Sequence, residues 1–260
     1  MQVFDSHTHL NDTPYAGQEA DYVKQAAELG VAKMAIVGSD TTLNAGAMRL
    51  AHEFDALYAI VGWHPESAKD YTAETEKVLV DQLADPKAVA IGEIGLDYHW
   101  DTSPRDVQRQ VFARQLELAA ELNMPVSIHS RDAFADTYDI LRASKIRDFG
   151  GIMHSFTGDA EWARKFLDLG MYISYSGIVS FKNAPEEHES VKVIPSDRLL
   201  VETDAPYLTP EPYRGRPNQP GYTRYVVDAV AKFRDETPAN IAAVTWANAH
   251  RVFGLTDAGK

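Results

Sequence analysis

Two imidazoles separated by one residue open the chain, His7 and His9, within Val3-Phe4-Asp5-Ser6-His7-Thr8-His9-Leu10. Apolar residues precede the charged ones and an Asn-Asp-Thr-Pro turn signal follows, which is the pattern of a strand and its exit. Side chains alternate along a strand, so Asp5, His7 and His9 are expected on one face. Two imidazoles so placed can converge on one cation, with Asp5 one pleat deeper to orient them. Taken alone, the same spacing also fits two surface histidines on a half-exposed strand. The rest of the chain changes the balance. His64, Glu93, His129, His154 and Asp204 each stand in or just after an apolar, strand-like run. Leaving His64 aside, four imidazoles and two carboxylates buried together would carry a heavy desolvation cost unless cations neutralise them. These six groups exceed what a single catalytic cation with an open position would take, so two divalent cations are expected. His7 and His9 would hold one and His129 and His154 the other. Glu93 could bridge, and Asp204 could coordinate the first cation and exchange a proton with the attacking water.

Such a set needs a frame, and strand-like and helix-like segments alternate along the whole chain. After the first strand come a helical period over Gln18–Leu29, a buried strand at Lys33–Ser39 and a helix at Leu43–Phe54. A third strand is expected at Leu57–His64, a helix at Ala73–Leu83 and a fourth strand at Ala88–Asp97. Ser103 and Pro104 supply a cap and a first-turn proline for a long helix to Leu122. Strands at Pro125–His129, Gly151–His154, Met171–Gly177 and Arg198–Asp204 complete eight, with helices at Ala133–Ala143 and from Asp159. The stretch Asn183–Val193 is short and poorly periodic; helices at Arg224–Phe233 and Pro238–Phe253 end the chain. Continuous apolar strands alternating with helices predict a parallel sheet covered by helices. Eight such units fit a single (β/α)8 TIM barrel over residues 1–260, with an open doubly wound sheet as runner-up. The candidate residues all fall toward the C-terminal ends of their strands, the face where barrels of this kind collect catalytic groups.

Composition sets the outer limits. With 45% hydrophobic and 24% charged residues, the chain reads as globular, and its longest apolar runs are strand-sized, too short to span a membrane. No basic region and apolar stretch precede the first strand, so no signal peptide is expected. There is no cysteine, hence no disulfide and no thiolate ligand or nucleophile. Together these predict a cytoplasmic protein with no obligate protein partner. The net charge of 25 − 38 = −13 argues against a broad basic surface for duplex nucleic acid. A single strand end entering a locally basic pocket remains compatible with it.

Along essentially its whole length the chain resembles the TatD family of metal-dependent hydrolases, within the amidohydrolase-like barrels. The resemblance rests on Asp5-Ser-His-Thr-His-Leu10, Gly62-Trp-His-Pro65, Gly92-Glu-Ile-Gly-Leu-Asp97, Pro125-Val-Ser-Ile-His-Ser-Arg131, His154-Ser-Phe-Thr-Gly158, Ser176-Gly-Ile178 and Glu202-Thr-Asp-Ala-Pro-Tyr207. It implies a (β/α)8 barrel of the metal-dependent hydrolase type, a divalent metal centre and phosphodiester hydrolysis. Several relatives look like 3′–5′ exonucleases on DNA, using Mg2+ or Mn2+. It places the first metal on His7, His9 and Asp204, shares Glu93, and places the second on His129 and His154. Two departures stand out: Ser155 where many relatives have Cys, and Trp63 where an aliphatic residue is usual. Neither removes a ligand; both bear on pocket shape.

On the substrate side, Arg131 follows His129 by two residues and would share its face, where a charged hydrogen bond to phosphate and a structural salt bridge are both open. The loops after the seventh and eighth strands commonly bind phosphate in such barrels. Here they carry Lys182-Asn183 and Arg214-Gly-Arg-Pro-Asn-Gln-Pro220, so Arg214, Arg216 and Asn218 are expected substrate contacts. His64 could donate a proton to the leaving group, contact phosphate, or simply be a satisfied histidine in the pocket wall. Trp63, Tyr98, Trp100 and Tyr207 offer rings for base stacking. The expectation is a phosphodiester hydrolase working with Asp204, Glu93 and His64 and a metal-activated water, as a 3′–5′ DNA exonuclease. Its partners would be nucleic-acid strand ends or another small phosphodiester. Four imidazoles suit Zn2+ or Mn2+, whereas Mg2+ prefers oxygen ligands. Alternatives are a hydrolase of the same fold for an ester, amide or aminoacyl-tRNA, and a non-catalytic metal-binding scaffold.

Overall fold

The computed structural model describes residues 1–100 and 102–256; Asp101 and the last four residues of the span 1–260 expected as one domain lie outside them. Eight strands form one sheet in sequence order: β1 (Val3–Thr8), β2 (Val31–Val37), β3 (Leu57–Val61), β4 (Ala88–Asp97), β5 (Val126–Arg131), β6 (Gly151–Met153), β7 (Tyr172–Tyr175) and β8 (Leu199–Val201). Every neighbouring pair in that order is parallel. The ends meet where Asp204 N–H donates to His7 C=O at 3.0 Å and His9 N–H to Ala205 C=O at 2.8 Å. The result is the expected TIM barrel.

Among the described residues the helices are α1 (Glu19–Glu28), α2 (Thr41–Glu53), α3 (Ala73–Leu83), α4 (Arg105–Leu122), α5 (Phe134–Ala143), α6 (Ile146–Phe149), α7 (Ala160–Asp168), α8 (Pro185–Val193), α9 (Thr223–Arg234) and α10 (Pro238–Val252). Their starts are written locally. Asp40 accepts from Leu43 N–H at 2.8 Å, Thr72 and Thr75 form a reciprocal capping box, and Thr237 caps α10 with Pro238 behind it. The stretch around Asn183–Val193 does contain a helix, α8. Proline at its first turn and inward-facing Glu187, Ser190 and Val191 form it without a clear apolar stripe. Among the described residues no helix is long and apolar enough to cross a membrane.

Two apolar layers decide where polar groups can gather. One lies between the strands and the outer helices, with Val3, Ile36, Leu57, Ile94, Phe112, Ile128, Phe166 and Val226 among its members. The other fills the lower barrel with Phe4, Ala35, Val37, Ile60, Ala90, Ile152 and Leu200, sealed by Ala249 and Phe253 at the end of α10. Burial at these positions is essentially complete, which excludes water from the N-terminal end and leaves the C-terminal end as the polar one.

Candidate metal centre

The hydrogen-bonded strands are shorter than the apolar runs suggest, so the candidate site residues occupy both strand ends and the first loop positions. His129 lies within β5 and Glu93 within β4; His9 and His154 follow β1 and β6 by one residue; His64 and Asp204 follow β3 and β8 by three. Asp204 sits at φ 53°, in the left-handed region that carries a steric cost for a residue with a side chain. Close strand approach at Glu93 requires its flanking glycines. A Cβ on Gly92 would stand 2.8 Å from side-chain atoms of Ile60 and Ser127, and one on Gly95 2.0 Å from His129 C=O.

Each of four imidazoles is held at one nitrogen and leaves the other facing a common centre. His9 Nδ1 meets Val37 C=O at 3.0 Å, and His7 Nδ1 meets Ser127 Oγ at 3.3 Å. His129 Nε2 meets Asp97 Oδ2 at 2.9 Å, and His154 Nδ1 meets Glu202 Oε1 at 3.2 Å. The inward nitrogens form two pairs: His7 Nε2 to His9 Nε2 at 3.2 Å, and His129 Nδ1 to His154 Nε2 at 3.3 Å. Glu93 lies between the pairs. Its Oε2 is 3.5 and 3.6 Å from the first, and its Oε1 is 2.8 Å from each nitrogen of the second. Asp204 Oδ1 faces only the first, at 3.8 Å from His7 and 3.5 Å from His9. His64 stands beside the second pair, with Nε2 3.5 Å from Glu93 Oε1. Its Nδ1 accepts the Glu66 N–H at 3.2 Å, so neutral His64 carries its proton on Nε2, toward the centre.

Electrostatics divide the cluster. Burial and the adjacent His154 hold His7 below the ordinary imidazole range. At His129 burial is outweighed by Asp97 and Glu93, pushing it up to about 9, and at His154 by Glu93 and Glu202, pushing it well above the ordinary value. His9 rises as Asp204 and Glu93 outweigh its burial. Burial of Glu93 is more than offset by His154, His64 and His129, and that of Asp204 by His9 and His154, so both carboxylates stay ionised. Such crowding of lone pairs and anionic oxygens is what a divalent cation would satisfy, with the outward hydrogen bonds fixing the tautomers a ligand needs. The donors fit Zn2+ or Mn2+. Groups drawn from His7, His9 and Asp204, and from His64, Glu93 and His129, each have donor atoms close enough for one ion.

A cleft of about 1030 Å3 opens over this cluster. Arg131 lines it, its guanidinium 5.7 Å from the Trp100 ring centroid, and is the one lysine or arginine among the described lining residues. Trp100 and Tyr207 line it too, with 51% and 57% of their surface exposed. Trp63 does not serve as a stacking ring, because it is buried with Nε1 donating to Ser67 C=O at 2.6 Å. Tyr98 is engaged by Asp136 at 2.5 Å and by Arg105 over its ring.

Several expectations are corrected by this geometry. Asn218 is buried and its amide is spent on Thr203 C=O at 3.1 Å and on Tyr207 C=O, so it fixes the loop after β8 and has no donor left for substrate. Arg214 and Arg216 are exposed and lie outside the cleft lining, so any contact they make with substrate falls beyond the imidazole cluster; Arg214 packs over Phe181 and Arg216 over Tyr213. Asp5 does not orient an imidazole. The β1–β2 register breaks between Asp5 and Thr8, and its carboxylate accepts from Thr203 Oγ1 at 2.5 Å and from Thr223 Oγ1, at the start of α9, at 2.9 Å. Asp97 and Glu202, the hydrogen-bond partners behind His129 and His154, are positions that sequence reasoning passed over. Their signal was an acid closing an apolar strand near a histidine motif.

A family model for the TatD-related DNases matches residues 4–254. An uncharacterised metal-dependent hydrolase of Bacillus subtilis, YabD, is 45% identical over 97% of this chain and 99% of its own. A protein of Shigella flexneri named 3′–5′ ssDNA/RNA exonuclease TatD is 33% identical over 97% and 99%. The crystal structure of a TatD homologue from Escherichia coli K12 superposes with a TM-score of 0.89 at 28% identity, covering 98% of each chain. With its eight-stranded barrel and its histidine and carboxylate cluster, the chain belongs to the TatD-related DNase family and is an enzyme of the metal-dependent hydrolase type.

Proposed function

We propose that this enzyme hydrolyses phosphodiester bonds at the 3′ end of a single DNA strand, with two divalent cations held by the paired imidazoles. One observation carries the reading: Glu93 presents one oxygen to each imidazole pair, the arrangement of a carboxylate shared between two positive centres. His7, His9 and Asp204 would hold the first cation and His129 and His154 the second. Bound there, the cations would acidify a water and offset the charge that develops on the phosphoryl oxygens. The chain's own groups supply the rest. Asp204 faces the first imidazole pair and takes a proton from the attacking water. His64, whose Nδ1 accepts the Glu66 N–H and whose Nε2 therefore carries the proton, donates an Nε2–H hydrogen bond to the leaving oxygen, which takes its proton from solvent water. Arg131 contacts a phosphate at the cleft mouth, and Trp100 and Tyr207 offer exposed rings to bases. The relative named an ssDNA/RNA exonuclease supports the substrate class.

Digestion of 5′-labelled single-stranded DNA tests it, with Mg2+, Mn2+ or Zn2+ restored after chelation and His129→Ala alongside. A ladder shortening from the 3′ end, absent in the variant, is the expected result. Intact DNA in every metal overturns it. One observation favours a second reading, a smaller ester or amide substrate: Asp12, Glu66, Asp132 and Glu186 also line the cleft and repel a polyanion. Release of a carboxylate from such substrates, without nucleotide release, would select it.

A further inference from the structure

The acidic mouth raises the question of where the rest of a strand would lie once its end is in the cleft. Two cleft-lining loops lead to one place. Ile178, after β7, and Leu208, after β8, both line the cleft. Lys182 follows Ile178 by four residues, within about 14 Å of chain. The two loops are joined beyond the cleft: Glu211 N–H donates to Ser180 Oγ at 2.9 Å, and the Arg214 guanidinium lies 3.6 Å from the Phe181 ring centroid. Arg216 lies 5.7 Å from the Tyr213 ring centroid. Among the described residues no carboxylate forms an ion pair with Lys182, Arg214 or Arg216. Against the one exposed carboxylate on these loops, Glu211, the three cations are a local excess of positive charge in a chain with 38 acidic and 25 basic residues.

The platform is preformed. Thr209 Oγ1 donates to Arg216 C=O at 2.7 Å, Tyr213 stacks on Tyr222 at 4.6 Å between centroids, and Asn218 ties the loop to Thr203. Gly215, at φ 84°, makes the turn between the two arginines. A fixed backbone and ring-stacked guanidinium groups reduce the ordering needed on binding. Guanidinium groups held in place on aromatic rings suit the backbone of single-stranded nucleic acid, whose phosphates pair with the charges.

We propose that Lys182, Arg214 and Arg216, the two arginines supported on Phe181 and Tyr213, form a track outside the cleft that holds the phosphates of the strand a few nucleotides away from the bond being cut. The track rests on the strand-end reading above and adds to it a dependence on substrate length. Lys182→Glu/Arg214→Glu/Arg216→Glu tests it, with the corresponding triple glutamine variant as a milder control and melting temperature as the check on folding. KM is measured for a dinucleotide and for a strand of about 12 nucleotides. In parallel, the affinity of the metal-chelated proteins for the labelled longer strand is measured against salt.

Wild type is expected to show a KM at least about 10-fold lower for the longer strand, and the variant to lose most of that advantage at similar kcat. The slope of log affinity against log salt should fall by about 2, near 0.7 for each lost phosphate contact. Equal length dependence in both proteins, with cleavage intact, rejects the track and leaves the strand-end reading standing. Absence of cleavage at every length rejects the strand-end reading; the binding arm then decides the track, and equal affinities reject it.

Discussion

The two imidazole pairs of the centre are built from the same residue type but differ in what stands behind them. His7 and His9 lean on neutral groups, the Ser127 hydroxyl and the Val37 carbonyl. His129 and His154 lean on carboxylates, Asp97 and Glu202. A carboxylate behind an imidazole makes the ring more basic and orients it more firmly than a hydroxyl does. His129 and His154 sit above the ordinary imidazole range, with Glu93 adding to the carboxylates behind them; on the first side His7 falls below it through burial and His154, while His9 rises under Asp204 and Glu93. Asp204 compensates on the first side, facing His7 and His9 directly. One half thus has a carboxylate facing its imidazoles, and the other has carboxylates behind them. Of these acids, Glu93 is the one whose oxygens lie within 3.6 Å of both inward nitrogens of each pair.

The largest expected effect follows from that sharing. Glu93→Gln should lower kcat by at least about 10³-fold, the scale of removing a principal electrostatic stabiliser, while circular dichroism shows the fold retained. A variant with near-normal turnover would break the comparison by making the bridge dispensable. Next come the supports. Glu202→Gln and Asp97→Asn should weaken metal binding by about 10–100-fold. Ser127→Ala, which removes a neutral hydrogen bond, should weaken it by about 10-fold or less. Competition with a fluorescent chelator measures all three; equal losses would mean that the two pairs are equivalent.

pH sharpens the difference further. Without metal, Asp97 and Glu93 push His129 up to about 9 in the folded protein, from the ordinary imidazole value of 6.5. Its contribution to stability is therefore complete below pH 6.5 and lost as pH rises through about 9. Asp97, held at about 2 because His129 outweighs its burial, contributes above pH 3.8, and that contribution is lost as pH falls toward 2. Cations compete with the imidazole protons, so the rise in melting temperature on adding Mn2+ or Zn2+ should be larger at about pH 8 than at about pH 6. A shift independent of pH would show that these imidazoles are not ligands. The smallest effect on chemistry is expected from Asn218→Ala. It removes buried hydrogen bonds and should cost about 1–3 kcal/mol in urea denaturation with turnover nearly unchanged.

Sequence reading was surest where one residue type broke a pattern. A glutamate between glycines in an apolar strand, or a histidine closing one, has little reason to be there except chemistry. Glu93, His129 and His154 were legible for that reason. The eight strands were legible because residues buried on both faces leave continuous apolar runs. Asp5 was misplaced because strand alternation assumes an unbroken register, and β1 breaks its register between Asp5 and Thr8. Asn218 resembled a phosphate contact because a Gly/Pro-rich loop at a barrel mouth looks the same whether its amide faces ligand or backbone. Asp97 and Glu202 were visible as letters but not as partners, since their roles depend on pairing across β4 and β5 and across the loops after β6 and β8.

The central claim is that two cation positions share Glu93, and anomalous diffraction from Mn2+-soaked crystals measures this most directly. The expected map has two peaks on either side of the Glu93 carboxylate, one against His7 Nε2 and His9 Nε2 and the other against His129 Nδ1 and His154 Nε2. A single peak at saturating metal, or two peaks with Glu93 touching only one, would contradict the account.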